Sequence, residues 1–513
     1  MFIDKARNIL SFIKQNKKLF LILISLLVVF LSFFPRSIDV LNQNPIFGFD
    51  QGRDYLIVKN IIVNHKPILI GAELGAGSAG ISGIFQGPFY FYFLTIPFLL
   101  FNGNPVGGVF LMLLFSLLSI VLGYFFGKKL FGKTGGVILS LLLSISPILI
   151  SQARFLWNPN TPTLFILFAF YFLYSFIKTK KNYYLFLAAF LSGFIYNLEF
   201  AISIPLSLTL FIFSMFLIKK DIKKYFYLFL GFIAAFLPMM FFELRHGFIG
   251  INGLISYLTK SNQNPGLSNN SFVIDHAKSF IYNFKETFPV NDFNFAIIFF
   301  IFLISISIFF LKKEKNINLK YFYSFLILLL PVNYFVFYFL KNTVWNYYLT
   351  DLSLSYILLL TYTIYSLYSR KYYRLSVFSF ISIGILALFA INSAAKVSIY
   401  DYSDYGGIAK LNGKIDAIDY IYKDAKNKPF GVLTFSPPIY TYPYDYLLWW
   451  HGERKYHYIP YQEKKGTFYL LIEPDGEKPW TYKGWLETVI KTGTIIETKT
   501  LPNGFIVQKR VAD

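Results

Sequence analysis

The feature that most constrains this chain is the return of long apolar runs along most of its length, from Leu19 to Asn392. Runs of about 18 or more apolar residues are long enough to cross a bilayer as helices. Only 15% of the 513 residues are charged and 55% are hydrophobic, whereas soluble domains carry about 25% charged residues. Lipid leaves no water for free backbone N–H and C=O groups, so apolar spans fold as helices. The expected fold is an all-α polytopic membrane protein.

The net charge of +21 does not point to nucleic acid. Many of the basic residues fall in short clusters between apolar runs: Lys128/Lys129/Lys133, Lys178/Lys180/Lys181, Lys219/Lys220/Lys223/Lys224, Lys312/Lys313/Lys315/Lys320 and Arg370/Lys371/Arg374. That is the pattern of cytoplasmic loops, and no basic face interleaved with aromatics stands outside them. Residues 1–18 hold Lys5, Arg7, Lys14, Lys17 and Lys18 and read as a cytoplasmic start. The run 19–34 ends in Phe33-Phe34-Pro35-Arg36 rather than a small-residue cleavage site, so it reads as an uncleaved first span. Cysteine is absent, which excludes disulfides, thiolate metal sites and a cysteine nucleophile.

Charge also sets the topology. The run 106–126 ends in the Lys128 cluster and must start outside, where the first span already ends. Pro88–Phe101 therefore cannot cross, and reads as a re-entrant or juxtamembrane helix. Further spans follow at 135–151, 161–177, 183–199, 202–218, 225–243, 294–311, 321–340, 347–368 and 375–392. The total is about eleven spans, with the N-terminus inside and the C-terminus outside. The membrane part covers 1–396, with outer loops over 36–105 and 244–293. Within the first loop, 54–64 has helical spacing and Gly71–Gly87 is a Gly- and Ser-rich turned segment. Composition changes near 397. A helix over 412–426 and strands near 431–435, 468–473, 495–500 and 505–509 predict a small extracytoplasmic α/β domain over 397–513. Its aromatic turn Tyr440–Trp450 suits either packing onto the membrane part or sugar stacking.

The chemistry gathers on the expected outer side. Polar sets interrupt the spans there: Asp50/Arg53/Asp54, Glu73/Gln86, Arg154/Trp157/Asn158, Tyr196/Asn197/Glu199, Glu243/Arg245/His246 and Trp345/Asn346/Tyr347. Inner loops hold little but lysine. Ionisable groups at a bilayer are costly to keep, and their one-sidedness marks a site. Asp50 either caps a helix or serves as a general base at the lipid edge. Arg154 is either a snorkelling anchor or a phosphate ligand, and Arg245 and His246 could donate to a phosphate unless Glu243 pairs with a neighbouring arginine. No G-x-x-x-x-G-K-[ST] loop and no H-E-x-x-H site occurs, and Gly75-x-Gly77 alone does not make a nucleotide site.

With these residues in place, the chain resembles the C-type glycosyltransferase superfamily (GT-C), and within it the branch of protein mannosyltransferases, the lipid A aminoarabinose transferase and Rgt-type lipopolysaccharide sugar transferases. The resemblance covers about residues 15–250. It rests on one span followed by a long outer loop with an early acidic motif, and on the proline-aromatic segment Gly87-Pro88-Phe89-Tyr90-Phe91-Tyr92. Family members carry an aspartate in that loop, often followed directly by a second acid. Asp50 matches the first position, Gln51 replaces the second, and the next acid is Asp54. Arg154 sits where the family often has a basic residue.

The resemblance implies inverting transfer of a sugar from a polyprenyl phosphate to a glycan, lipid or protein acceptor at the outer face of the cell membrane. Asp50, with Asp54 as a second catalytic acid, would supply the base. Arg53, Arg154, Arg245 and His246 would hold the donor phosphate. Glu73, Gln86, Trp157, Asn158, Tyr196, Glu199 and Tyr347 would contact substrate. No cofactor or metal is expected, although Asp50 and Asp54 could offer a divalent cation two oxygens. The alternatives are a carrier or flippase for a lipid-linked substrate, and a non-catalytic membrane scaffold. The scaffold reading predicts that Asp50, Arg154 and His246 line no common cavity.

Overall fold

The computed structural model describes residues 17–73, 83–260, 269–340, 344–370, 372–403, 407–437 and 440–512. Most of the expected cytoplasmic start and most of the Gly71–Gly87 segment, with Gly75-x-Gly77, lie outside those residues. The membrane part runs α1 (Lys17–Leu41), α2 (Phe49–Ile62), α3 (Phe89–Leu100), α4 (Val106–Ile145), α5 (Pro147–Arg154), α6 (Pro162–Thr179), α7 (Asn182–Phe194), α8 (Phe200–Ile218), α9 (Ile222–Arg245), α10 (Ile249–Lys260), α11 (Asn269–Thr287), α12 (Phe293–Lys312), α13 (Ile317–Leu340), α14 (Thr350–Ser369) and α15 (Tyr373–Ser403). The C-terminal part adds α16 (Leu411–Ala425), β1 (Gly431–Phe435), α17 (Tyr442–His451), β2 (Thr467–Ile472), β3 (Thr494–Thr500) and β4 (Ile506–Val511).

Among the described residues seven helices are long and apolar enough to cross a membrane, those built on α4, α6, α8, α9, α12, α13 and α14. The chain is an integral membrane protein. Its outer helices show why: Phe226, Phe241 and Leu244 on α9 and Ile298, Ile301 and Phe302 on α12 are exposed, a surface suited to lipid and costly in water. α14 is the reverse, buried over most of its length, and forms the middle of the core.

Local chemistry sets where helices turn. α4 is counted as one 40-residue helix, but Phe131 and Gly132 leave helical geometry inside it, and Gly132 takes φ +72°. A Cβ on Gly127 would fall 2.4 Å from the Gly135 carbonyl oxygen, so the two halves fold back on each other through glycine contacts. The expected spans 106–126 and 135–151 begin as the two arms of this hairpin. α3, in the segment expected not to cross, has 12 residues and reaches only about 18 Å, against a hydrocarbon core of about 30 Å. The expected span 183–199 is a 13-residue helix, α7, followed by a tight turn over Ile195–Asn197.

The C-terminal sheet has strand order β1-β2-β4-β3, parallel between β1 and β2 and antiparallel elsewhere. Every strand and the helix expected from sequence are present within a residue or two. Alternate β2 residues face two apolar clusters: Tyr469 and Leu471 pack with α16, and Phe468, Leu470 and Ile472 with the residues around Ile490. This part is tied to the segment that leads into α2 and to the turn between α3 and α4. Phe47 N–H donates to the Ala409 carbonyl at 3.1 Å, Leu411 N–H to the Pro45 carbonyl at 2.9 Å, and Tyr446 OH to the Gly103 carbonyl at 2.5 Å. A Cβ on Gly52 would lie 2.3 Å from the Pro443 backbone nitrogen. Only a glycine lets α2 and α17 come this close.

Candidate active site

α2 starts just after Gly48 because Gln51 closes its first turn. The Gln51 side-chain oxygen accepts from Gly48 N–H at 2.9 Å, and its amide donates to the Leu156 carbonyl at 2.6 Å. The residue that replaces the expected second acid is thus a buried pin. Asp50 is not the cap, a correction to one of its two readings. It stands in the first turn, where the helix dipole favours a carboxylate. One turn on, Arg53 Nη1 lies 2.9 Å from Asp50. Arg53 Nε and Nη2 both donate to Asp54 Oδ1, at 3.0 and 2.7 Å, and Tyr90 OH donates to Asp54 Oδ2 at 2.9 Å.

Asp50 and Arg53 border a cavity of about 920 Å³. Glu73, Gln86, Trp157, Asn158, Tyr196, Glu199 and Tyr347 line it as well, so nine of the residues singled out in sequence converge there. Asn158 is fixed by donating to Gln86 Oε1 at 2.8 Å and to the Leu198 carbonyl at 2.9 Å. Glu73 accepts from Gly83 N–H at 2.7 Å. Trp157 and Tyr347 meet edge to face at 4.5 Å between centroids. Glu199 caps α8 by accepting from Ala201 N–H at 3.2 Å, and burial pushes its carboxyl up to about 8. At neutral pH it is therefore mostly uncharged and able to donate a hydrogen bond. Burial also pushes the Asp54 carboxyl up, against the pull of Arg53 and Tyr90. Burial likewise opposes the charge on Arg53, but the flanking Asp54 and Asp50 raise its pKa and hold it cationic.

The cavity changes character with depth. Its polar end holds Asp50, Arg53, Gln86 and Asn158. On α8, Phe200, Ser203, Ile204, Ser207, Leu208 and Phe211 recur at steps of three and four and so share one helical face. Phe232 and Phe236 of α9 and Phe337 of α13 supply further apolar walls. From Glu199 to Phe211 the groove runs about 18 Å along α8. The arrangement can hold an amphiphile, with a polar head at the aspartate–arginine pair and a tail along the groove.

Residues 86–242 match the family model described as dolichyl-phosphate-mannose-protein mannosyltransferase. No curated protein matches the chain in sequence. Among solved structures, ArnT from Cupriavidus metallidurans bound to undecaprenyl phosphate is similar over 96% of this chain and 98% of its own, with a TM-score of 0.59 at 12% identity. The chain carries the GT-C glycosyltransferase fold. Apo ArnT of the same organism agrees with that GT-C fold at a TM-score of 0.57, 11% identity and 97% and 98% coverage.

Within this GT-C fold four expected site residues fall outside the cavity lining. Asp54 sits behind Arg53 with no exposed surface, both of its oxygens engaged, so it is not placed to share a cation with Asp50. Arg154 Nε is 2.6 Å from Asp39 Oδ2, and the carboxylate draws it away from the cavity. His246 stacks on Phe242 at 4.2 Å, with Nδ1 2.9 Å from the Phe242 carbonyl oxygen. Arg245, beside it at the end of α9, is absent from the lining too. Among the described residues Glu243 pairs with no arginine; it accepts from Gly250 and Ile251 N–H at 3.0 and 3.3 Å. Among the described residues no group of three or more His, Asp or Glu is placed to hold a metal ion. Sequence reasoning gave no role to Tyr90 alone or to the α8 groove. Tyr90 lay within the noted aromatic segment, but nothing there distinguishes the ring that reaches Asp54. The α8 spacing was present, yet the run is apolar on all faces and offers no contrast.

Proposed function

We propose that the protein is an inverting glycosyltransferase that takes its sugar from a polyprenyl phosphate on the outer face of the cell membrane. The observation that carries this reading is the single cavity joining the Asp50–Arg53 pair to a lipid-length apolar groove. The prenyl tail lies along α8 and the phosphate meets Arg53, the one cation among the described lining residues. Two neutral donors, the Gln86 amide and protonated Glu199, add hydrogen bonds without further charge, and Asn158 holds the Gln86 side chain in place. The acceptor hydroxyl enters beside Asp50, which takes its proton as the new C–O bond forms at the anomeric carbon. The bond to the phosphate oxygen breaks on the opposite face, and the phosphate keeps that electron pair. Phosphate leaves readily as an anion, so no acid catalyst is needed, in contrast to the two-carboxylate glycosidase scheme. The reading uses no metal.

ArnT was solved with undecaprenyl phosphate bound, which supports a ligand of that class here. Two of the three residues that the scaffold reading scatters, Arg154 and His246, do lie outside the cavity. Their place is taken by nine others that converge, and that convergence favours a site. The decisive test is the full chain in nanodiscs with undecaprenyl phosphate and a matching lipid-linked sugar. Wild type should bind the lipid and transfer the sugar with inversion. Asp50→Asn should keep lipid binding within a few-fold and lose transfer by at least about 1,000-fold. Full transfer by that variant would remove Asp50 from the mechanism.

A further inference from the structure

We propose that the segment Tyr440–Asp445, which runs into the first turn of α17 and packs on Phe49 next to Asp50, is a carbohydrate subsite, and that the acceptor of this enzyme is a glycan. The proposal rests on the transferase reading but adds what that reading leaves open, the acceptor's chemical class. Tyr440 and Tyr442 stack at 5.4 Å with 20° between their planes. Both contact Phe49, the first residue of α2, at 5.3 and 5.2 Å. The Arg53 guanidinium carbon lies 5.9 Å from the Phe49 ring centre, and its Nη1 touches Asp50. The aromatic set is thus one side chain removed from the proposed base.

Packing alone does not account for Tyr440. It is 50% exposed, whereas a ring serving only to seal the joint between the two parts would be covered, as Tyr444 and Tyr446 are. A pyranose presents a face of C–H bonds with partial positive charge, and the negative face of an aromatic ring attracts it. Its rim presents hydroxyls, which need carboxylate or amide partners. Those partners stand next to the rings: Asp445 accepts from Thr441 Oγ1 at 2.8 Å and from Gln462 Nε2 at 3.0 Å. A carboxylate and an amide beside a half-exposed ring suit a sugar. A peptide strand would need free backbone N–H and C=O groups along an edge. A lipid acyl chain would need an apolar trough.

The test separates acceptor binding from donor binding. Full-length protein in detergent is presented to an array of soluble neutral, acidic and amino-sugar oligosaccharides, to an unstructured Ser/Thr peptide, and to undecaprenyl phosphate. At least one oligosaccharide should bind. Tyr440→Ala should weaken that binding about tenfold, while Tyr440→Phe stays near wild type. Undecaprenyl phosphate affinity and the melting temperature should be the same in all three proteins. The subsite is overturned if no oligosaccharide binds, if Tyr440→Ala binds as wild type does, or if the peptide is the ligand the substitution removes. Failure of the wild type to bind undecaprenyl phosphate would instead overturn the donor reading, and the two outcomes are read independently.

Discussion

Asp54 has no surface of its own, and what it does is hold a guanidinium still. With Tyr90 on one oxygen and two Arg53 N–H groups on the other, it fixes the plane from which Arg53 Nη1 reaches Asp50. Asp54→Asn removes the carboxylate anchor and leaves Asp50 as the remaining acidic partner of Arg53. The ion pair then tightens on the base and misplaces both groups. The expected result is a fall in kcat of about 10- to 100-fold, with protein that still folds because the amide keeps the shape. An unchanged kcat would show that Asp54 is only ballast. Asp50, Arg53 and the polar residues of the cavity were legible because ionisable groups stand out in an apolar chain. Arg154 was misjudged for the opposite reason. Its carboxylate, Asp39, lies 115 residues away, and nothing in either local stretch tells which charges will meet. His246 likewise gave no sign that its ring would lie on Phe242.

At the scale of elements, α2 is held by what surrounds it more than by its own sequence. Its contact at Gly52 and its approach to α17 both depend on the C-terminal part, and Phe47 just before it bonds to Ala409. That part has its own electrostatic staple. Asp419 accepts from His451 Nε2 at 2.6 Å, Lys455 Nζ at 2.5 Å and Tyr456 OH at 3.0 Å. Although burial opposes the charge, these bonds lower its pKa to about 2, from 3.8. A carboxylate depressed in the folded state adds stability above its unfolded pKa, and that stability is lost as pH falls through the folded one. The contribution should therefore fade between about pH 4 and pH 2. Thermal unfolding of the full chain in detergent should show that loss, and Asp419→Asn should start less stable and lack this component of the slope. Equal slopes would mean the staple carries no stability. The sheet itself was legible strand by strand, since its alternating and β-branched runs contrast with the membrane part. Its docking onto α2 was not, because a glycine that permits close approach looks like any other glycine.

For the whole molecule, the question is whether the groove is a lipid site or a gap between helices. The two differ in what depth should matter. A prenyl chain follows the groove from Glu199 toward Phe211, about 18 Å by helical rise, so a bulky residue set deep in it shortens the usable length without touching the polar end. Leu208 faces the groove and is 41% exposed, so Leu208→Trp can be accommodated without overpacking the core. Undecaprenyl phosphate should then bind at least about tenfold more weakly. Geranyl phosphate, whose two-isoprene tail ends above the block, should bind about as it does to wild type. Equal losses for both lipids would mean that the substitution disturbed the head-group site. No loss for either would mean that the tail lies elsewhere, and the cavity's two ends would then have no common ligand to join them.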